Sequence, residues 1–134
     1  MGDEPRLKLL LDTHIWLWSL IDTRRLRGKT ARLLANMQHE IWLSPVSTVE
    51  ALSIHLAGRV QLSGDVTDWF VDAMRGTKEA PLTQEVALAT RQFPRDCDPF
   101  DRVLAATALV FDLTLVTADH RLLELKNIRT LANH

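Results

Sequence analysis

The chain has 134 residues, of which 46% are apolar and 25% are charged, so it can bury the core of one compact domain and is short for two. Lysine and arginine total 16 against 17 acidic residues, and this balance excludes a strongly basic nucleic-acid binder but allows a locally basic surface. The single cysteine, Cys97, excludes an intrachain disulfide and favours a reducing compartment. No apolar run suits a signal peptide or a membrane span, so we expect a cytoplasmic protein without membrane attachment.

The first half of the chain alternates short apolar runs with helical patterns. Residues 7–11 are predicted as a buried strand, which ends at Asp12 and Thr13, a pair typical of a helix N-terminus. The patterns that follow predict helices over 14–20 and 30–37, a strand over 40–44, and helices over 47–56 and 65–74.

The second half continues this alternation. Asp98 and Pro99 open a strongly apolar helix that continues to residue 111, because Asp is favoured at the N-cap and Pro at the first helical position. The other predicted elements are a minimal strand over 80–82, a helix over 84–92, a strand over 113–116, a helix over 120–125 and a strand over 128–131. This order predicts an α/β fold of three layers, with a mostly parallel central sheet flanked by helices. No repeat or linker divides the chain, so residues 1–134 are predicted as one domain.

Four acidic residues stand just beyond predicted strands or in the first turn of a buried helix: Asp12, Glu50, Asp101 and Asp119. Because the carboxyl ends of parallel strands line one edge of a sheet, these acids can converge. Clustered carboxylates are stable when a divalent cation supplies positive charge, and oxygen ligands favour Mg²⁺ or Mn²⁺ over zinc. Such a cation can activate water beside a phosphate, which indicates phosphodiester hydrolysis.

Each acid also has a purely structural interpretation. Asp12 and Asp119 fit helix N-caps, and Asp101 fits a residue that complements a helix dipole. Ser47 and Glu50 match a capping box, in which Glu50 bonds back to the Ser47 amide. On the residues alone, both interpretations stay open.

Four segments, taken together and in this order, resemble the PIN-domain nucleases, and among them the VapC-type toxins of bacterial toxin–antitoxin pairs. These segments are residues 9–14, 47–52, 98–108 and 115–119. The resemblance implies a PIN-like fold and an acidic quartet, Asp12, Glu50, Asp101 and Asp119, that holds Mg²⁺ or Mn²⁺. By the same resemblance, the Thr117 hydroxyl supports the site, and Asp98 is a helix cap that supports it from further out.

The resemblance further implies a metal-dependent endoribonuclease in which a metal-activated water attacks the scissile phosphorus of RNA. Its role is then that of the toxin of a type II toxin–antitoxin module, restrained by a cognate antitoxin protein and commonly a homodimer. One alternative is a non-catalytic PIN-like RNA-binding or scaffold module in which the acids are only caps. The other is a signalling domain phosphorylated on Asp12, for which Lys126 is poorly placed.

Basic and aromatic residues are weaker candidates for the site. The basic run within residues 24–32 is interpreted as a solvated helix face, although its charge also suits an RNA backbone. His14 and His120 lie near predicted site acids and receive no role. Core or dimer packing is the interpretation for most of the tryptophans, Trp16, Trp18, Trp42 and Trp69.

Overall fold

The computed structural model describes residues 6–133, so residues 1–5 and 134 of the predicted domain lie outside the described part. The strands in this part are β1 (Lys8–Leu11), β2 (Glu40–Leu43), β3 (Lys78–Glu79), β4 (Thr114–Thr117) and β5 (Arg129–Ala132). The helices are α1 (Thr13–Ile21), α2 (Gly28–Ala35), α3 (Pro45–Leu56), α4 (Val66–Ala73), α5 (Gln84–Ala89), α6 (Pro99–Phe111) and α7 (His120–Leu123). None of the helices within residues 6–133 combines the length and the apolar character that a membrane crossing requires.

The five strands form one sheet in the order β3-β2-β1-β4-β5, and each neighbouring pair is parallel. β1 lies at the centre, where Leu10 pairs with Trp42 of β2 on one side and with Leu115 of β4 on the other. The chain adds strands outward from β1 to β3 and then returns to the opposite side with β4. Where the order of strands reverses in this way, the carboxyl ends of the strands open a crevice. The predicted parallel sheet is confirmed.

Successive side chains of β1 point to opposite faces of the sheet, and both faces are covered. Leu10 is fully buried in one apolar cluster, together with Val86, Leu104 and Leu115. Leu9 and Leu11 are buried in the other, together with Ile15, Trp16, Phe70 and Val116. Burial on both faces explains why β1 is an almost unbroken apolar run, and each buried leucine stabilises the fold by about 1.5–3 kcal/mol. The predicted three layers are therefore confirmed.

The third strand lies two residues before its predicted position. It comprises Lys78–Glu79, and its pairing with β2 ends where the Ala80 amide donates to the Leu43 carbonyl at 2.8 Å. Pro81 has no amide hydrogen and does not continue the ladder. The prediction of a strand over 80–82 is therefore wrong.

The helix that carries Glu50 also begins earlier than predicted. α3 begins at Pro45, because the Ser44 hydroxyl accepts a hydrogen bond from the Val46 amide at 3.1 Å and proline suits the first helical position. The Ser47 amide donates to the Ser44 carbonyl. Glu50 thus lies in the interior of the helix, and the capping-box interpretation is wrong.

Candidate active site

A cleft of about 390 Å³ opens where β1 and β4 end, beside α3 and the first turn of α6. The structure brings together in it all four acids of the predicted quartet and Asp98 with them, from segments as distant as Asp12 and Asp119. The other residues of its wall are His14, Trp18 and Ala118.

Asp12 is a buried residue that lines this cleft, and the buried Thr117 side chain bonds to it. Asp12 directly follows β1, and one of its carboxylate oxygens, Oδ1, accepts a hydrogen bond from the His14 amide at 3.3 Å. Its other oxygen, Oδ2, accepts a hydrogen bond from the Thr117 hydroxyl at 2.6 Å. That hydroxyl also accepts a hydrogen bond from the Asp119 amide at 3.0 Å. A single side chain at the end of β4 therefore links two acids.

Three of the acids cap helices, as the structural interpretation expected. Asp12 caps α1, the Asp98 carboxylate accepts a hydrogen bond from the Phe100 amide at 2.8 Å, and Asp119 caps α7. The Asp119 carboxylate accepts that capping bond from the Arg121 amide at 2.8 Å. Each of these capping bonds engages one oxygen of its carboxylate, so a cap and a ligand role are compatible in one residue.

Asp101 and Glu50 cap no helix. Asp101 is the third residue of α6, whose cap is Asp98, and α6 packs against α3, which carries Glu50. Burial, together with the negative charges of Asp12, Asp119, Asp98 and Glu50, raises the pKa of Asp101 to about 7. The cleft is thus a place of uncompensated negative charge.

This donor set fits a hard divalent cation. All of the acidic groups offer oxygen ligands, which Mg²⁺ and Mn²⁺ prefer. The positive charge of a bound cation would offset the repulsion among the carboxylates that helps to raise the pKa of Asp101. Within residues 6–133, no three His, Cys, Asp or Glu side chains are arranged closely enough to hold an ion by themselves. Because Mg²⁺ is ordinarily held by one or two carboxylates and several waters, the arrangement suits a hydrated cation rather than a closed cage.

Neither His14 nor Trp18 was predicted as a residue of this site. Both are on α1 and their rings are 5.9 Å apart, because residues four apart share one face of a helix. The sequence signal that could have found them is this four-residue spacing in the helix that Asp12 caps. The remaining tryptophans contact other aromatic rings of the core, as predicted: Trp16, Trp42 and Trp69.

One curated protein is similar to this chain in sequence, and several solved structures are similar to it in fold. The chain is 28% identical over 116 residues to Ribonuclease VapC22 of Mycobacterium tuberculosis, and the alignment covers 85% of this chain and 88% of that protein. A solved structure of VapBC2 from Rickettsia felis, bound to a DNA fragment from their promoter, superposes with a TM-score of 0.72 at 13% identity and covers 94% of this chain and 98% of that one. DNA-bound VapBC from Salmonella typhimurium gives a TM-score of 0.66 at 19% identity, with the same coverage.

At these identities the solved structures show a shared fold and no more. The family assignment comes from the sequence itself, since the PIN domain family model matches residues 9–128. This range includes residues 9–11 of β1, the whole acidic cleft and the reversal point of the sheet. The chain therefore belongs to the PIN domain family.

Proposed function

We propose that this protein is a metal-dependent endoribonuclease and the toxin of a type II toxin–antitoxin module. The observation that carries the proposal is the convergence of Asp12, Glu50, Asp101 and Asp119 in one cleft. Similarity to Ribonuclease VapC22 supports RNA as the substrate. The fold shared with a toxin–antitoxin complex from Klebsiella pneumoniae supports an antitoxin protein as the partner. In this proposal the protein acts in the cytoplasm, as a homodimer.

Asp12 and Asp101 are the proposed direct ligands of Mg²⁺ or Mn²⁺, and Asp119 completes the site. When bound, such a cation neutralises charge on a phosphate and lowers the pKa of water. Asp12 is oriented for this role because the Thr117 hydroxyl donates to its Oδ2 and the His14 amide to its Oδ1. A carboxylate held by two donors keeps one position, which favours catalysis through preorganisation.

In this proposal Asp101 loses a proton before it binds the cation, and Glu50 accepts a proton from the attacking water. Asp101 must be ionised to bind a cation, and its raised pKa of about 7 places that ionisation near neutral pH. Glu50 is engaged in no cap and lines the same cleft, so its carboxylate is available to orient the attacking water and accept its proton.

Cleavage of a labelled structured RNA tests this function. Purified protein is assayed with Mg²⁺, with Mn²⁺ and with EDTA, beside the variants Asp12→Ala and Asp101→Asn. We expect metal-dependent cleavage that falls by on the order of a hundredfold or more in both variants. The matched control is Asp65→Asn, because Asp65 is an exposed cap of α4 outside the cleft. We expect this variant to cleave like the wild type.

A non-catalytic RNA-binding module is the second candidate, favoured by the capping roles of Asp12 and Asp119. It leaves Asp101 and Glu50 without a function, although both carry charge into a crowded cleft. Wild-type protein that binds RNA and cuts none with either metal would support this candidate. Cleavage that persists in EDTA, or in both site variants, would contradict the metal-dependent mechanism.

A further inference from the structure

We propose that a second pocket, next to the acidic cleft, binds one nucleotide of the RNA strand beside the scissile phosphate. This inference rests on the proposed ribonuclease function. The pocket has a volume of about 340 Å³ and lies between α1 and the end of α3. We name it the flanking pocket, and its main lining residues are His14, Leu17, Trp18, Arg25, Ile54 and Arg59.

The flanking pocket is continuous with the acidic cleft. His14 and Trp18 line both spaces, one turn apart on the same face of α1. A strand that crosses the cleft therefore meets the flanking pocket next. Its volume falls at the lower end of the range for small-molecule sites, about 300–1,000 Å³, which suits a single nucleotide.

The two spaces carry opposite charge. The cleft is lined by five carboxylates, which repel the phosphates of RNA, whereas the flanking pocket has Arg25 and Arg59 against a single acid, Asp22. Arg25 is already engaged, since its Nε lies 3.3 Å from Asp22. Arg59 is exposed and, among residues 6–133, has no carboxylate within ion-pair distance. Its guanidinium is therefore available to a phosphate.

Trp18 offers a surface on which a base can stack. Its ring is partly exposed and is flanked by the His14 ring, at 5.9 Å, and by the Arg25 guanidinium, at 5.7 Å. Guanidinium groups and nucleic-acid bases both stack on the face of an indole ring, so a base that displaces Arg25 from this ring can stack in its place. Leu17 and Ile54 supply apolar walls for that base.

An anionic ligand with a planar ring is favoured by the Trp18 ring in the shared wall and by Arg59, which has no carboxylate of residues 6–133 within ion-pair distance. A peptide segment of a protein partner is the other class of occupant, and it does not require the pocket to follow the path of the substrate. RNA binding that depends on Arg59 distinguishes a nucleotide from a peptide as the occupant.

The binding arm uses a pool of short single-stranded RNAs of random sequence, labelled with a fluorophore, and EDTA to prevent cleavage. Fluorescence anisotropy gives Kd at several salt concentrations for the wild type, Arg59→Gln, Arg59→Lys and the control Arg91→Gln. Arg91 is an exposed arginine that lines neither the flanking pocket nor the cleft. We expect Arg59→Gln to weaken binding several-fold and to reduce the slope of log Kd against log salt by about 0.7, and Arg59→Lys to restore the slope.

In the cleavage arm, the same RNA pool is incubated with the protein and Mn²⁺, and the RNA ends produced by cleavage are sequenced. We expect the wild type to prefer certain bases at one position beside the cut, Trp18→Leu to lose that preference, and Trp18→Phe to keep it because a ring remains. Arg59 is on the surface, so its variants remain informative if Trp18→Leu does not fold.

The two arms fail separately. If Arg59→Gln binds RNA with the Kd and salt slope of the wild type and of Arg91→Gln, the flanking pocket does not take RNA and the inference is overturned, whether or not a peptide fills it. If the binding difference is present but the wild type cuts nothing with Mn²⁺, the proposed ribonuclease is contradicted, while RNA binding in the pocket is supported.

Discussion

The Thr117 hydroxyl donates a hydrogen bond of 2.6 Å to the Asp12 carboxylate, across 105 residues of sequence. Both residues are buried, and they terminate adjacent strands, since Leu11 of β1 pairs with Val116 of β4. A buried carboxylate is costly without a donor, so this bond helps to hold the Asp12 side chain in its place. The same hydroxyl accepts a hydrogen bond from the Asp119 amide, so the Thr117 side chain connects Asp12 and Asp119 at this edge of the sheet.

Thr117→Val tests these two hydrogen bonds, because valine keeps the shape of threonine and removes the hydroxyl. It removes the donor to Oδ2 of Asp12 and the acceptor of the Asp119 amide. We expect the free energy of unfolding, measured by urea denaturation, to fall by about 1–3 kcal/mol. We also expect RNA cleavage to fall about tenfold or more, as for loss of other groups that orient a metal ligand. Thr117→Ser retains the hydroxyl, and equal losses in both variants would contradict the orienting role.

The raised pKa of Asp101 predicts how the stability of the metal-free protein depends on pH. In the unfolded chain Asp101 titrates near its ordinary value of 3.8, and in the folded protein near 7. Between these values the folded state holds more protons, so stability from this group is complete below the lower pKa and is lost as pH rises through 7. Tm of the wild type in EDTA should therefore fall over this interval relative to Asp101→Asn.

Thermal denaturation of both proteins from pH 5 to pH 8, in EDTA, checks this dependence. We expect Asp101→Asn to be more stable than the wild type by a few degrees in Tm at pH 8, with a smaller difference at pH 5. Parallel Tm curves for the two proteins would show that Asp101 ionises like an exposed aspartate.

Addition of Mn²⁺ should stabilise the folded protein, because the cation binds the assembled cleft and not the unfolded chain. A concentration of a hundred times Kd corresponds to about 2.7 kcal/mol. The increase in Tm should be larger at pH 8 than at pH 5, since Asp101 must lose its proton to bind metal. Asp12→Asn should show a much smaller increase, whereas Asp65→Asn, outside the cleft, should respond like the wild type. Equal increases in all three proteins would place the cation elsewhere.

Ser44→Ala and Glu50→Gln separate capping from function in α3. Ser44 accepts the Val46 amide at the helix N-terminus, so its loss should lower the free energy of unfolding by about 1 kcal/mol. Glu50→Gln removes one of the charges that raise the pKa of Asp101, so in EDTA it should leave stability unchanged or increased, yet reduce cleavage strongly. Chemical denaturation beside the RNA assay checks both variants. A stability loss for Glu50→Gln as large as that for Ser44→Ala would restore a structural role.

Short-range signals in the sequence were sufficient for most of the fold. The apolar run of β1, the Asp98-Pro99 start of α6 and the alternation of strands with helices predicted the three layers, because caps, proline geometry and side-chain periodicity act within a few residues. They failed at β3, where the choice depended on a strand distant in the sequence, and at the start of α3, where two nearby serines could each have been the cap. β3 is Lys78–Glu79 because β2 ends opposite it, and α3 begins at Pro45 because Ser44, rather than Ser47, caps it.

The sequence by itself also named the acids Asp12, Glu50, Asp101 and Asp119, and their catalytic roles remain predictions. Only the tertiary structure decided that they share one cleft with Asp98, because α3 and α6 must pack together at the edge where β1 and β4 end. The raised pKa of Asp101 has the same origin, since burial and like charges are properties of assembled neighbours. Arg59 had no signal in the sequence. It became a candidate because folding places this exposed cation in the same pocket as Trp18, with no carboxylate of residues 6–133 within ion-pair distance.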